Sequence, residues 1–467
     1  MNRRQFSLMT ACGGTALAAG LGWPKSASAA VSAAQAEQLK STLTPMGANP
    51  AGNADGSIPP WTGGLSTVPA DFVPGKLMPD MFASDPKVVS INAANMVQYQ
   101  DKLTPGVVEM MTKFPDFRID VYPTHRTGIC PQWVYDNVYQ NALSAQLNPG
   151  GARLGFTNAY GGVPFPIPDI SDPLVAGAQI IWNHSCRWQA YQTVTTIAAY
   201  VMNNGVLTLA SGFQAWGDSP YYNPDGNLST YSGYFRRLLI EYSAPPSLNG
   251  QQLMDWEPSD PTNNPKQAWQ YLTGQGRVRK APELSYDTPA GQEENVANYD
   301  EFFVFYGPLD RYDWKFIGKK EMYIPYNNNR LFLATPEQAH LTNFINPDFV
   351  RWELHRVWVV EATLHPGSRN VLARRRYYID EDTWLAVIGE TYDAHDNMYK
   401  IPMMFLNTRP EIPGVIYGNS VNYDLQLNEY ATQGGNWNLS PYDQYEVRAE
   451  FPADTFNPQA MGAEAAF

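Results

Sequence analysis

The stretch RRYYIDEDTWLAVIGETYDAHDNMYKI, residues 375–401, decides how this chain is read. It sets Asp380, Glu381, Asp382, Asp393, His395 and Asp396 among tyrosine, isoleucine, valine and tryptophan. Two readings compete: an acidic catalytic or metal site, or three strands joined by two acidic turns. Neighbouring strand residues point to opposite faces, so three consecutive acids converge on one ion only where the backbone turns. Neither cluster has the alternating oxygen ligands, central glycine and distant glutamate of a calcium loop. The strand reading expects strands at about residues 375–379, 384–392 and 399–405, with solvated turns between them.

The same kind of text recurs on the N-terminal side. DFRIDVYP (116–123), QWVYDNVY (132–139), VLTLASGFQAW (206–216), YFRRLLIEY (234–242), EFFVFYG (301–307), YDWKFIGKKEMYI (312–324) and ELHRVWVVEATL (353–364) are rich in β-branched and aromatic residues. Gly, Pro, Asn and Asp separate them, the signature of strands and turns. Residues 182–202 (WNHSCRWQAYQTVTTIAAYVM) also read as strands on their β-branched run. Helices are expected at residues 33–43, 91–103 and 265–272, and from Pro105 to about residue 114 with Thr104 as the cap. Residues 49–69 (NPAGNADGSIPPWTGGLSTVP) are too rich in Gly, Pro, Asn and Asp for regular structure. They read as an extended arm anchored by Trp61. The expected fold is mainly β with accompanying helices, a large antiparallel sheet that is curved or partly closed.

The first 29 residues read as an export signal: Arg3, Arg4 and Phe6, an apolar run, then Ala27-Ser28-Ala29 as cleavage site. The paired arginines point to the twin-arginine route. The organisation expected is a signal at 1–29, a helical and Gly/Pro-rich arm at 30–115, an antiparallel β domain at 116–455 and a tail at 456–467. No later segment has the roughly 18 uncharged apolar residues of a membrane span, so the expected location is the periplasm. Removing the signal takes away three basic and no acidic residues, moving the net charge from -13 to -16, with 29 basic against 45 acidic residues. That charge argues against nucleic acid and anionic membrane surfaces as partners. Cys130 and Cys186 remain, and an oxidising compartment allows one disulfide between them.

Other chemistry is thin. None of the six histidines stands in an HxH, HxxxH or HExxH spacing, so no conventional zinc site is expected, and no cofactor. The glycines at 274 and 276 lack the third glycine of a dinucleotide loop. Ser84-Asp85-Pro86-Lys87 fits SxxK, but Pro86 disfavours the helix turn that motif needs. The basic runs at Arg374-Arg375-Arg376 and Arg277-Val278-Arg279-Lys280 read as alternating strands with cross-strand acids.

Five phrases in one order carry a resemblance. AGNADGSIPPWTGG (51–64), DFRIDVYPTHRT (116–127), AYGGVPFPIP (159–168), RYDWKFIGKKEMYIPYNN (311–328) and ELHRVWVVEATLHPGSRN (353–370) resemble the bacterial family named domain of unknown function 1329. The likeness runs from about residue 43 to residue 451. It implies an exported protein related to outer-membrane lipoprotein-sorting carriers, with a fold like LolA and LolB: an antiparallel, curved, unclosed β-barrel plugged by helices. Residues 375–401 are similar to those carriers' phrase of strand, Asp-x-x-Thr, strand, Tyr-Asp, strand. The implied function is a non-enzymatic periplasmic carrier or chaperone for a lipid, lipoprotein or other hydrophobic compound passing between the two membranes. The implied partners are a resistance-nodulation-division type transporter and an outer-membrane protein. Trp314, Phe316, Trp358, Val360 and Trp384 are the candidate wall of its hydrophobic cavity. A structural adaptor docking through residues 49–69 and a periplasmic hydrolase are the alternatives; no catalytic residues are implied.

Overall fold

The computed structural model describes residues 30–73, 76–282, 284–435, 445–448 and 450–462; the expected export signal lies outside them. In chain order, β1 (Val89–Asn92) and β2 (Arg118–Val121) form an antiparallel pair, and β3 (Gln146–Leu147) and β4 (Phe156–Thr157) a separate small one. A first meander follows: β5 (Gln192–Asn203), β6 (Val206–Asp218), β7 (Tyr234–Ala244), β8 (Gln252–Pro258), β9 (Gln267–Leu272) and β10 (Arg277–Lys280). The second meander is β11 (Tyr312–Pro325), β12 (Trp352–Leu364), β13 (Arg374–Asp380), β14 (Ala386–Tyr392), β15 (Met398–Arg409), β16 (Gly414–Asp424) and β17 (Glu429–Gly435). Antiparallel pairing of β17 with β5, from Tyr430↔Met202 to Gly435↔Ile197, fuses the two, and β18 (Tyr445–Arg448) continues along β5. The far edges, β10 and β11, do not pair with each other among the described residues. The β1–β2 pair joins the fused meanders through a parallel contact of Val121 with Trp352 on β12, and the result is one large, curved, unclosed and predominantly antiparallel sheet, mainly β as expected.

Local chemistry explains the turns. Asn204 and Gly205 take φ of 50° and 78°, the two left-handed positions of the tight hairpin joining β5 to β6. The edge strand β10 carries Arg277, Arg279 and Lys280, charges that discourage pairing with another sheet. In β13, Arg374 and Arg376 both reach Glu361 across the sheet while Arg375 faces the other way into the core. The expected alternation of that basic run is therefore present.

Helix α2 (Pro105–Lys113) forms as expected, capped by Thr104 with Pro105 at its first position, while the helix expected at 33–43 is the short α1 (Ala33–Ala36) followed by a 3-10 turn, Glu37–Lys40. Several stretches differ from the sequence expectation; of the helix expected at 91–103, the start falls in β1 and the rest is a 3-10 helix, Met96–Lys102. QWVYDNVY lies in α3 (Gln132–Ser144), where Val134, Val138, Asn141 and Ala142 are buried at helical spacing. Residues 182–202 split between the end of α4 (Pro173–Ser185) and β5; the helix start lies upstream, at the Asp172 cap and Pro173. The helix expected at 265–272 is strand β9. Short helices α5 (Asn329–Phe332) and α6 (Pro336–Ala339) fill the β11–β12 connection. No helix of the described residues is long and apolar enough to cross a membrane.

Helix α4 plugs half of the sheet. It lies against β11 and β12, so closely that a Cβ on Gly177 would sit 2.4 Å from the Trp314 carbonyl oxygen. Every residue from Ala176 to His184 is buried. Residues Trp314, Ala362 and Arg375 share this covered face by register.

The acidic turn after β13 is the largest departure from expectation. Asp380, Glu381 and Asp382 are 0%, 1% and 7% exposed, so they are not solvated turn residues. The reason is that each acid has its own cation. Asp382 takes a two-pronged bond from Arg126, at 2.9 Å from Nε and 2.7 Å from Nη2. Glu381 is paired with Lys319 and accepts the Asn49 amide. Asp380 faces His355, whose other ring nitrogen bonds Glu353, and Glu353 in turn holds Arg351. The second turn, around Asp393 to Asp396, is exposed as expected.

The arm is built onto this turn. Arg126 also donates to the carbonyls of Asn49, Pro50 and Pro59, Arg356 to that of Ala51, and the Trp384 indole to that of Met46 at 2.9 Å. Trp61 anchors as expected, its indole donating to the Gly128 carbonyl. Cys130 and Cys186 are both buried free thiols, so the disulfide allowed by the sequence is not formed. Cys130 packs on Met46 under the arm, whereas Cys186 caps α4.

Removing one member of a buried, fully paired ion pair strands the other charge and costs about 3–5 kcal/mol. Asp382→Ala is therefore expected to lower the unfolding free energy by that amount in urea denaturation and to open the arm to limited proteolysis between residues 49 and 69. An unchanged urea midpoint would show that the pair is dispensable. Burial pushes the His355 pKa down, but Asp380 and Glu353 outweigh it and raise it to about 9. This stabilisation is complete below the unfolded value near 6.5 and is lost as pH rises through about 9. Melting temperature should fall between pH 7 and 9.5 in the wild type and fall less in His355→Gln.

Candidate functional site

The half of the sheet that α4 leaves uncovered holds a cavity. Its floor is one face of the first meander, set by strand alternation: Thr193, Thr195 and Ile197 on β5, Phe213 and Ala215 on β6, Leu238 and Ile240 on β7, Leu253 on β8. Small side chains such as Thr193, Thr195 and Ala215 leave the space that Trp and Tyr fill on the second meander. The cavity volume is about 160 Å³. Ile197, Leu238, Phe302 and Phe303 are half-buried on its rim, so apolar surface faces an accessible opening.

The roof comes from residues 299–306, most of which lie in EFFVFYG (301–307), read from the sequence as a strand. Phe303 and Val304 take φ of 53° and 68°. Two consecutive left-handed residues, one β-branched, cost on the order of 1–3 kcal/mol each. The kink divides the aromatic run: Phe302, Phe303 and Tyr306 line the cavity, while Phe305 packs on Trp314 at 4.8 Å between ring centres. His184 at the end of α4 pins this segment. Its Nε2 bonds the Phe305 carbonyl at 3.1 Å, and its Nδ1 accepts the Ala386 amide at 3.1 Å. Burial, and then the charge of Arg187, hold its pKa well below the ordinary value, so the ring is neutral.

Two arginines reach the cavity. The Arg187 side chain is carried by the turn after α4 and is 5% exposed. Its Nη1 donates to the His184 carbonyl at 2.6 Å, and its guanidinium lies 4.5 Å from the Tyr417 ring centre and 5.2 Å from that of Phe303. Nε and Nη2 have no hydrogen-bond partner among the described residues. Burial pushes the Arg187 pKa down to about 10, which leaves it charged at neutral pH. Arg236 stacks on Phe303 at 4.3 Å and Tyr306 at 5.5 Å. One carboxylate, Asp255, lines the wall and accepts the Tyr306 hydroxyl at 2.9 Å. Nearby Glu257 is paired with Lys266.

None of the five wall residues expected from the sequence lines this cavity. Trp314, Trp358, Val360 and Trp384 are buried and Phe316 is half-buried, in the half of the sheet filled by α4 and the arm. Trp314 packs on Tyr377 and donates to the Leu309 carbonyl; Trp358 stacks on Trp384 and touches Phe316. The expectation followed the largest aromatics, and large aromatics close space rather than leave it. The usable signal was the opposite one, small residues alternating in VLTLASGFQAW beside an arginine set among apolar residues in YFRRLLIEY.

His355, Asp380 and Asp382 are the one described group placed to hold a metal ion, their ligand atoms lying within 4.8 Å of one another. Their chemistry does not suit one. His355 carries a proton at neutral pH, which occupies the lone pair a metal needs. Both Asp382 oxygens are taken by Arg126. Cations of the protein already balance the acids of this cluster.

The chain matches a family described as Protein of unknown function (DUF1329) over residues 90–462. It is similar to "Uncharacterized protein PA3922" of Pseudomonas aeruginosa, 37% identical over 413 residues, which covers 87% of this chain and 88% of that one. Among solved structures, a DUF1329 family protein from Desulfovibrio piger is similar at 13% identity and a TM-score of 0.43, covering 62% of this chain and 99% of that one. LolA superfamily protein NE2245 from Nitrosomonas europaea is similar at 10% identity and a TM-score of 0.34, over 58% of this chain and 92% of its own. By the extent of the family match and the identity to a full-length relative, the chain belongs to the DUF1329 family.

Proposed function

We propose that the protein is a non-enzymatic carrier of the periplasm that shelters the apolar part of a small hydrophobic compound or lipid between the inner and outer membranes. The observation that carries this reading is the cavity itself: apolar side chains on a rigid sheet, half-buried at the rim, under a roof held in a strained conformation. Ligand sites are typically concave, mostly apolar and equipped with few polar groups, and this one has that composition. A conserved-volume core would have closed such space with larger side chains, as the second meander does.

Size narrows the ligand. At 160 Å³ the cavity is close to the roughly 150 Å³ that admits a benzene ring. It takes one ring or one short chain, with the rest of a larger molecule left in the opening; several acyl chains of a lipoprotein do not fit inside together. Burying about 250 Å² of apolar ligand surface gains about 6 kcal/mol, a dissociation constant of tens of micromolar before ordering costs. Binding of that strength is readily reversible, as a carrier that hands over its load requires.

The neutral fluorescent probe N-phenyl-1-naphthylamine should brighten on binding the wild-type protein. Leu238→Trp, which fills the cavity from a half-buried position, should weaken that binding at least about tenfold with little change in melting temperature. Equal probe binding by both proteins would remove the cavity from the function.

A further inference from the structure

We propose that the ligand of this cavity is an amphiphile with a carboxylate head, and that Arg187 is the residue that receives it. The inference rests on the carrier reading and specifies the chemistry of the load.

The argument starts from an unpaired charge. Burying a guanidinium costs several kcal/mol unless an anion and hydrogen bonds repay it. The other arginines that are buried in the described residues find carboxylates: Arg126 has Asp382, Arg351 has Glu353 and Asp85, Arg375 has Asp300, and Arg409 has Glu411. Among the described residues Arg187 has only the His184 carbonyl and two aromatic faces, and no acid pairs with it. Asp255, the acid on the cavity wall, is engaged by the Tyr306 hydroxyl.

The geometry of the unused donors selects the head group. Nη1 is occupied, while Nε and Nη2 are free. Those two atoms form one edge of the guanidinium, and their parallel N–H bonds match the two oxygens of a carboxylate. Tyr417 and Phe303 support the guanidinium with their rings, and no acceptor among the described residues reaches that edge. Arg236, which also stacks on Phe303, adds a second positive charge to the same cavity. With Asp255 counted, the lining carries a net positive charge that one monoanion neutralises. A bulkier phosphate or sulfate head with its hydration leaves little of the 160 Å³ for an apolar body.

The test compares decanoate with 1-decanol, equal in chain length and differing in the head group, by displacement of N-phenyl-1-naphthylamine at pH 7.5. Decanoate should displace the probe from the wild type about 10- to 100-fold more effectively, as expected for charge-assisted hydrogen bonds. Arg187→Gln should bring that ratio close to one while retaining the probe, and Arg187→Lys, which offers a point charge and no fork, should keep part of it. Arg236→Gln should reduce the ratio less than Arg187→Gln. Equal displacement by acid and alcohol from a wild type that binds the probe overturns the assignment of the head group and leaves the carrier reading standing. Failure of the wild type to bind the probe, the acid or the alcohol overturns both. A wild-type comparison needs no variant to fold, so loss of the Arg187→Gln protein on purification does not blunt the result.

Discussion

The interaction on which the rest of the structure depends is the neutralisation of three consecutive buried acids. Asp380, Glu381 and Asp382 lie where β13 turns into β14, and each is held by a cation from a different part of the chain. Strand alternation alone would have sent such side chains to opposite faces, and solvent would have taken them. Here the backbone turns at them, with Thr383 donating from both its amide and hydroxyl to Asp380. The turn is then covered by residues 46–61, whose carbonyls take the remaining donors of Arg126. Desolvation makes the arrangement all or nothing: with every partner present it is rigid, and with one missing a charge is left without water or counter-ion.

That rigidity reaches the cavity through a short series of bonds. The acidic turn fixes Trp384, which stacks on Trp358 and donates to the arm. Two residues after Trp384 the Ala386 amide donates to His184 Nδ1 at the end of α4, and His184 Nε2 donates to the Phe305 carbonyl in the roof segment. Two residues before Phe305, Phe303 closes over the cavity. A neutral imidazole is well suited to this position, because it accepts on one side and donates on the other while adding no charge beside Arg187. Residues 375–401, which first read as chemistry and then as plain strands and turns, are the scaffold that sets the roof above the binding face.

What was legible in the sequence follows from range. Strands β11 to β15 of the second meander were readable because alternation and turn residues are local, whereas β16 and β17 were not read; those expected at 375–379, 384–392 and 399–405 correspond to β13, β14 and β15 within a few residues except at the last end. QWVYDNVY and EFFVFYG misled because aromatic and β-branched residues suit strands by composition. In the first the buried positions follow a helical period, and in the second the backbone kinks at Phe303 and Val304. The burial of the acidic turn was not readable at all. Its partners are Arg126, 256 residues away, and Asn49, 332 residues away, and no local pattern announces a contact of that span.

Two buried arginines show how structural and ligand-directed charges differ within one chain. Arg375 is fully buried, yet Asp300, the Tyr312 hydroxyl and the Asn370 side chain take its donors. Although burial opposes its charge, Asp300 and the surrounding tyrosines hold its pKa well above the ordinary value. Arg187 is buried to nearly the same degree with aromatic rings in place of those acceptors, and burial drives its pKa the other way, down to about 10. If Arg187 served only to hold the end of α4, its bond to the His184 carbonyl would suffice, and a lysine or glutamine would make it without burying a second, unused edge. The unused edge belongs to a side chain that lines the cavity, where an anion brought from outside would complete the pairing that Arg375 finds within the protein. The same physics therefore assigns one arginine to the fold and the other to the load.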